Sequence, residues 1–282
     1  MENSEMYDKL VEMGLNPVYA GMKNGLVIRI LNVINNKKSN PQNYFVAEGI
    51  WLNSQVDMYD APVRAIFICP EMLQSKQAIE LSYRLAEKAT SVCIISEKVC
   101  IRLSDGKRDD AILTLCTLPD WKLDELVLPD TSLVMVLDGL EIPGNVGTII
   151  RSCDGAGVDA IFICHRRTRL THPKVVRASM CTLLNKPVFE VDHIQLGEWL
   201  IEKGYEIWMA DTDGAKRFDI APFSQKTALI MGAEKYGINK EWYAVPHKAT
   251  FIPMFGDVDS LNVGVAASIF AYEVKRRQGF DN

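Results

Sequence analysis

An α/β protein of two layered domains, the second built on a parallel sheet, is what this sequence predicts, and three observations predict it. From residue 132 onward, continuous apolar runs of about five residues alternate with stretches whose apolar positions recur at helical spacing. Runs apolar at every position suit strands buried on both faces, as parallel strands are. A looser version of the same alternation fills residues 44–116, and the two are separated by a stretch bounded by Pro119 and Pro129 that carries Asp120, Asp124 and Glu125.

Composition bounds the chain before any motif does. It has 282 residues, 48% hydrophobic and 24% charged, enough for two medium domains. No apolar run approaches the ~20 residues that span a bilayer, and the opening residues 1–10 are acidic and polar, unlike a signal peptide. A cytoplasmic protein without a membrane segment is expected. The seven cysteines mostly lie inside apolar runs with no C-x-x-C pair, so they read as buried thiols, and the four scattered histidines give no support to a metal site. The net charge of −5 argues globally against nucleic acid, but between Ala160 and Phe189 there is no acid at all. Arg166, Arg167, Arg169, Lys174 and Arg177 fall there, with Lys186 and two histidines, a local stripe of the kind that binds phosphates, preferred here to the other reading of an ordinary solvated face.

In order, residues 1–36 read as a mainly helical extension, with Val18, Met22, Leu26, Ile30 and Val33 at helical spacing, and residues 35–41 as a polar linker. Residues 37–118 form the small α/β domain, with strands expected at 44–47, 64–69, 91–95 and 111–116 and helices near 50–58 and 75–87. Residues 119–131 are a linker. The second domain, 132–282, has strands expected at 133–137, 160–164, 206–210, 228–231 and 251–252, with helices at 146–154, 173–184, 194–203 and, briefly, 240–245.

The last helix should begin at Ser260, a good N-cap before Leu261, Val263, Val265, Ile269, Phe270 and Val274, and end on Lys275, Arg276 and Arg277, whose charge suits a helix C-terminus. Two of its residues resist that description. Asn262 is a poor helix former for a first turn, and Gly264 costs about 1 kcal/mol against alanine. With Ala267, Ser268 and Ala271 it makes one face small enough for another backbone to approach closely.

In a doubly wound sheet, ligands sit beyond the carboxyl ends of the strands, which selects loops 138–147, 232–239 and 256–262. The first is glycine-rich but carries Asn145 where a phosphate-binding loop needs lysine, and Gly155 to Gly157 follows a helix rather than a strand, so neither nucleotide motif holds; the latter reads as a helix C-terminal turn. Arg151, inside the helix after the first loop, suits a phosphate or pairs a surface carboxylate. Glu234 is the one acid of the second loop, between Gly232 and Gly237.

Asn145, Gly147 and Arg151, then Gly232, Glu234 and Gly237, then Ile252 to Met254 running on to Ser260, Leu261, Asn262 and Val263, resemble in order and spacing the three motifs of the SpoU/TrmH-type RNA 2′-O-ribose methyltransferases of the SPOUT superfamily. The resemblance covers residues 132–278, and residues 44–116 are more loosely similar to the L30e-like substrate-binding domain that often precedes that catalytic domain. It implies an enzyme that transfers a methyl group from S-adenosylmethionine to a ribose 2′-oxygen of RNA. Ribosomal RNA is favoured; transfer RNA, a base atom as acceptor, or a non-catalytic RNA-binding relative remain the alternatives. It further implies a trefoil knot in the C-terminal segment and a homodimer formed through it. Gly232, Ile252 and Leu261, with Met231, Gly237 and Met254 beside them, would hold the cofactor. Arg151 would be central to catalysis, with Asn145, Glu234, Ser260 and Asn262 around it, and the basic residues 166–177 would grip RNA. Gly264 departs from the family, which usually has a second serine there. Arginine is always protonated and a poor base, so Arg151 is expected to hold the phosphate and stabilise the forming alkoxide, with the proton acceptor unassigned.

Overall fold

The computed structural model describes residues 2–36, 38–104, 111–211 and 216–279. Lys37, inside the expected 35–41 linker, and the last three residues of the second domain lie outside them. The chain divides into two compact units, Met1–Pro119 with Leu170–Arg177, and Asp120–Arg169 with Ala178–Asn282. Among the described residues no helix is long and apolar enough to cross a membrane.

The first unit runs α1 (Asn3–Glu12), β1 (Val18–Tyr19), α2 (Gly25–Ile34), β2 (Tyr44–Glu48), α3 (Gly49–Met58), β3 (Val63–Ile68), α4 (Lys76–Lys88), β4 (Val92–Ile94), α5 (Glu97–Leu103) and β5 (Ile112–Thr117). Its sheet has the order β1-β4-β3-β5-β2, with β5 antiparallel to both neighbours. Side-chain caps start two of its helices: Asn24 accepts from Leu26 N at 2.8 Å and Ser75 from Ala78 N at 3.1 Å. The fully buried Asn53 joins three elements, its Nδ2 within 2.8–3.2 Å of the Ala47, Gly49 and Ile112 carbonyls and its Oδ1 accepting from Thr114 Oγ1 at 2.7 Å. A buried amide so fully used fixes α3 against β2 and β5.

The second unit continues with β6 (Ser132–Asp138), α6 (Pro143–Gly155), β7 (Ala160–Cys164), α7 (Pro173–Ser179, its first residues in the first unit's range), β8 (Val188–Glu190), α8 (His193–Glu202), β9 (Glu206–Ala210), β10 (Lys216–Arg217), β11 (Lys226–Gly232), β12 (Lys248–Phe251) and α9 (Val263–Gln278). All seven strands are parallel, in the order β10-β12-β9-β11-β6-β7-β8. Every residue of β6 and β7 is buried, as their unbroken apolar runs require. On one face Val134, Val136, Phe162, Leu196, Ile207, Ile230 and the fully buried Trp242 form a continuous core.

Several expectations are corrected. The first 36 residues are mainly helical, in α1 and α2, but Val18 and Met22 are not on a helix: Val18 and Tyr19 form β1 and pair with Cys93 and Ile94. The second sheet has seven strands rather than about five, the additions β8 and β10 being too short to show as apolar runs. The helix expected over 173–184 is cut after Ser179, where Met180 and Cys181 take left-handed φ of +56° and +57°, and 182–184 form a 3-10 turn. Residues 240–244 are also 3-10. Ser260 is not the cap of α9: it is exposed and donates to Asp259, while Asn262 is the N-cap and accepts from Gly264 N at 3.0 Å. Asn262 is therefore outside the helix, which removes the objection to it as a first-turn residue. The seven cysteines are all buried and free.

Near the end of α9, Glu273 accepts from Arg276 Nε and Nη2 at 2.8 and 2.7 Å and from Arg277 Nε at 2.9 Å. The Arg276 hydrogen bonds, reinforced by Arg277 and outweighing burial, hold its carboxyl below the ordinary value of 4.5. A depressed carboxylate stabilises the fold above its unfolded pKa, and that contribution is lost as pH falls through the folded value. Glu273→Gln is expected to lower stability at pH 7 by about 1 kcal/mol, read as a urea midpoint, with the difference closing as the buffer is taken below about pH 4.5.

Candidate functional site

Parallel pairing puts the carboxyl ends of β6, β7, β11 and β12 on one rim of the second sheet, and the three selected loops leave from that rim. α6 opens with Pro143, whose missing N–H costs nothing in a first turn, and Asn145 follows two residues later. One run of hydrogen bonds then links the three sequence motifs. Gly264 N donates to Asn262 Oδ1, Asn262 Nδ2 donates to Asn145 Oδ1 at 3.2 Å, and Asn145 Nδ2 donates to Glu234 Oε1. The order is forced at both ends: a backbone N–H can only donate and a carboxylate only accepts, so each asparagine has one orientation that satisfies both neighbours.

The same face of α6 continues against α9. Thr148 lies where a Cβ on Gly264 would meet its Cγ2 at 3.3 Å, the Ser152 and Ser268 hydroxyls share a hydrogen bond of 2.8 Å, and Gly155 O accepts from Tyr272 OH at 3.2 Å. Residues 145, 148, 152 and 155 are one helical stripe, and Gly264, Ser268 and Tyr272 of α9 meet it. Gly264 is thus accounted for: a side chain there presses on Thr148 and on the capping oxygen of Asn262, 3.1 Å away. Arg151 lies off the stripe, exposed, and makes no hydrogen bond or ion pair among the described residues.

The second loop is a closed turn. Ala233 N donates to Gly237 O at 3.0 Å and Gly237 N to Ala233 O at 2.8 Å. A Cβ on Gly232 would sit 2.3 Å from the Gly237 carbonyl carbon, and Gly237 itself has φ +69°. Both glycines are demanded by the backbone. In the third stretch β12 ends at Phe251, before Pro253, which has no N–H to pair. Ile252, Met254 and Leu261 are half-buried, Met231 is buried, and the backbone of residues 252–261 makes no hydrogen bond among the described residues.

The sequence reading missed one cluster on this rim. Asp138, the last residue of β6, is fully buried, with Oδ1 2.5 Å from His165 Nδ1 and Oδ2 accepting from Asn239 N at 2.7 Å and Asn239 Nδ2 at 2.9 Å. The signal was available: a lone carboxylate closing an unbroken apolar run is costly without a partner, and His165 closes the next run in the same way.

The basic segment is less uniform than its composition suggests. Arg166 pairs with Glu190 at 2.6 Å and Arg177 with Glu48 at 3.2 Å. Residues 166–169 fall in one unit and 174–177 in the other, and only Arg167 and Lys174 of the five named cations are exposed without an ion pair among the described residues, Arg169 having an interaction of its own.

The SpoU rRNA methylase family matches residues 132–272, half of the chain and all three loops. The chain belongs to the SpoU rRNA methylase family. It is 38% identical over 157 residues to a Staphylococcus haemolyticus protein assigned to the TrmH family of tRNA/rRNA methyltransferases, a match covering 54% of this chain and 62% of that relative. The chain thus spans less than two thirds of the curated relatives it matches. The fold is also shared with solved structures: an AdoMet-bound rRNA methyltransferase from Sinorhizobium meliloti superposes with a TM-score of 0.81 at 22% identity over 93% of this chain and 98% of that one, and a TrmH-family protein from Porphyromonas gingivalis with 0.73 at 25% over 91% and 100%. Within the SpoU domain, Gly232 offers the plainest test of the geometry. Gly232→Ala is expected to cost about 2–3 kcal/mol in urea unfolding, because backbone must move, whereas Gly256→Ala, with open space around its Cβ, should stay within about 0.5 kcal/mol.

Proposed function

We propose that the chain is an S-adenosylmethionine-dependent RNA methyltransferase that delivers the methyl group to a ribose 2′-oxygen, with ribosomal RNA as substrate. The observation that carries this is the run from Glu234 through Asn145 to Asn262, which unites at one rim the three motifs whose spacing suggested the activity, with the unpaired Arg151 on the helix that bears Asn145. The residues fit the cofactor: half-buried Ile252, Met254 and Leu261 offer apolar walls, and the backbone of 252–261, without a hydrogen bond among the described residues, offers N–H and C=O groups on the same rim as the Gly232 to Gly237 turn. When bound, the cofactor supplies an electrophilic methyl group on a sulfonium.

The chain's own residues then have separable tasks. Arg151 binds the phosphate next to the target ribose and stabilises the negative charge that grows on the 2′-oxygen, since its guanidinium stays protonated and is no base. Asn145, Glu234 and Asn262 hold the three loops in register, so that oxygen, methyl and sulfur can be brought into line. Ser260, exposed in the third loop, is available to the RNA. The proton acceptor stays unassigned. Arg167 and Lys174 are the readiest phosphate contacts of the basic segment; Arg166, Arg169 and Arg177 join them only by exchanging the partners they have.

Support for ribosomal RNA comes from the family's description and from the naming of the Sinorhizobium neighbour as an rRNA methyltransferase, while the Staphylococcus relative's name covers tRNA as well. An L30e-like role for the first unit as RNA grip, a C-terminal trefoil knot, a homodimer through α9 and a cytoplasmic location belong to the same proposal. The return of α9 onto α6 and beside β6 and β11 supports the knot.

Arg151→Ala is expected to lower turnover at least 100-fold while leaving S-adenosylmethionine affinity within about twofold by calorimetry; near-normal turnover would remove Arg151 from its role. Mass spectrometry of methylated RNA should place the new methyl on ribose, and a base-borne methyl would overturn the acceptor. RNA affinity should fall by at least tenfold between 50 and 200 mM salt, as phosphate contacts require.

A further inference from the structure

We propose that Asp138, His165 and Asn239 are positioning residues that hold the 232–239 loop in its ligand-ready shape, an inference that rests on the methyltransferase function proposed above. Three donors converge on one fully buried carboxylate: His165 Nδ1 at 2.5 Å, Asn239 N at 2.7 Å and Asn239 Nδ2 at 2.9 Å. With both oxygens accepting, Nδ1 carries the imidazole proton. The 3.1 Å approach of Asn239 Nδ2 to that nitrogen is then a contact of two donors, set by their common acceptor.

The neighbourhood is built to keep this arrangement. His165 has φ +47°, a left-handed conformation that a non-glycine residue holds only when its surroundings over-determine it. Its ring is flanked by that of His193, 4.6 Å away between centroids. Gly139 has φ +70°, and a Cβ there would lie 3.3 Å from Asn239 Nδ2; its N–H donates to Cys164 O at 3.0 Å. The starts of the loops after β6 and β7 are thereby pinned to Asn239.

What the cluster positions is specific. Asn239 lies two residues beyond Gly237, whose backbone closes the turn on Ala233. Glu234, inside that turn, is the acceptor that orients Asn145 and through it Asn262. A charge-assisted anchor under Asn239 therefore bears on the turn proposed to receive S-adenosylmethionine and on the orientation of the asparagine pair. None of the three residues is assigned a catalytic task; they act through the loop.

The test compares His165→Gly and His165→Asn in the full chain. Both residues accept a left-handed backbone, but only asparagine restores a donor near the place of Nδ1. In the ligand-free protein, His165→Gly is expected to speed amide hydrogen exchange of Ala233, Gly237 and Asn239 by about tenfold, and to weaken S-adenosylmethionine binding by a similar factor in calorimetry. His165→Asn should stay within about threefold of the parent in both. Asn239→Ala, which keeps the backbone N–H and removes Nδ2, should speed exchange of Ala233 and Gly237 as His165→Gly does, and serves if His165→Gly does not fold. Parent-like exchange in His165→Gly, or equal damage from His165→Gly and His165→Asn, overturns the assignment. If the parent itself gives no heat with S-adenosylmethionine, the proposed function falls, and the exchange comparison still decides the anchoring.

Discussion

A parallel sheet that is buried on both faces has only its strand ends free for chemistry, and that constraint governs the second unit. β6 and β7 expose no residue along their length, so polar and conformationally special residues are pushed to the carboxyl rim. Asp138, Gly139, His165, Gly232, Glu234, Gly237 and Asn239 all stand there. A carboxylate or a left-handed residue in the middle of either strand would set buried charge or strain against a dry core. The rim is also where a ligand finds backbone that no strand has claimed, as along residues 252–261.

Against that rim the contact between α6 and α9 sets the geometry. The two helices meet along a stripe of small and polar residues in which each α6 position has a partner of matching size: Asn145 with Asn262, Thr148 with Gly264, Ser152 with Ser268, Gly155 with Tyr272. Leu or Ile at these places would separate the helices and break the asparagine pair. The hydroxyl pair of Ser152 and Ser268 is also tied to the backbone, since Ser268 Oγ lies 2.7 Å from Gly264 O, so the contact satisfies its polar atoms. Gly264 belongs to this packing.

Electrostatics follow local partners more than net charge. The chain carries −5 overall, yet the cations of its acid-free segment are not all free, because Glu48 and Glu190 come from elsewhere in the fold to Arg177 and Arg166. Exposed pairs of this kind are worth little and exchange readily for phosphate. The buried Asp138 is different: its partners are fixed, and a lone desolvated carboxylate would be expensive.

The α/β class, the parallel sheet and the common rim of the three loops were legible in the sequence, because an unbroken apolar run and a helical repeat are local consequences of burial. Gly232 and Gly237 stood out in the sequence as well, but the closed turn and the backbone packed against Gly232 that demand them were visible only in the fold. Very short strands were not legible: β1, β8 and β10 acquire their identity from a neighbour's open edge and not from their own two or three residues. Nor was the start of α9, where serine and asparagine are both good caps and only the contact of Asn262 with Asn145, 117 residues away in sequence, decides between them. The sequence by itself determined which residues could bind and cap; the tertiary structure decided which met, because Asp138, His165 and Asn239 share a site only after three parallel strands have been laid side by side in an order the chain does not spell out.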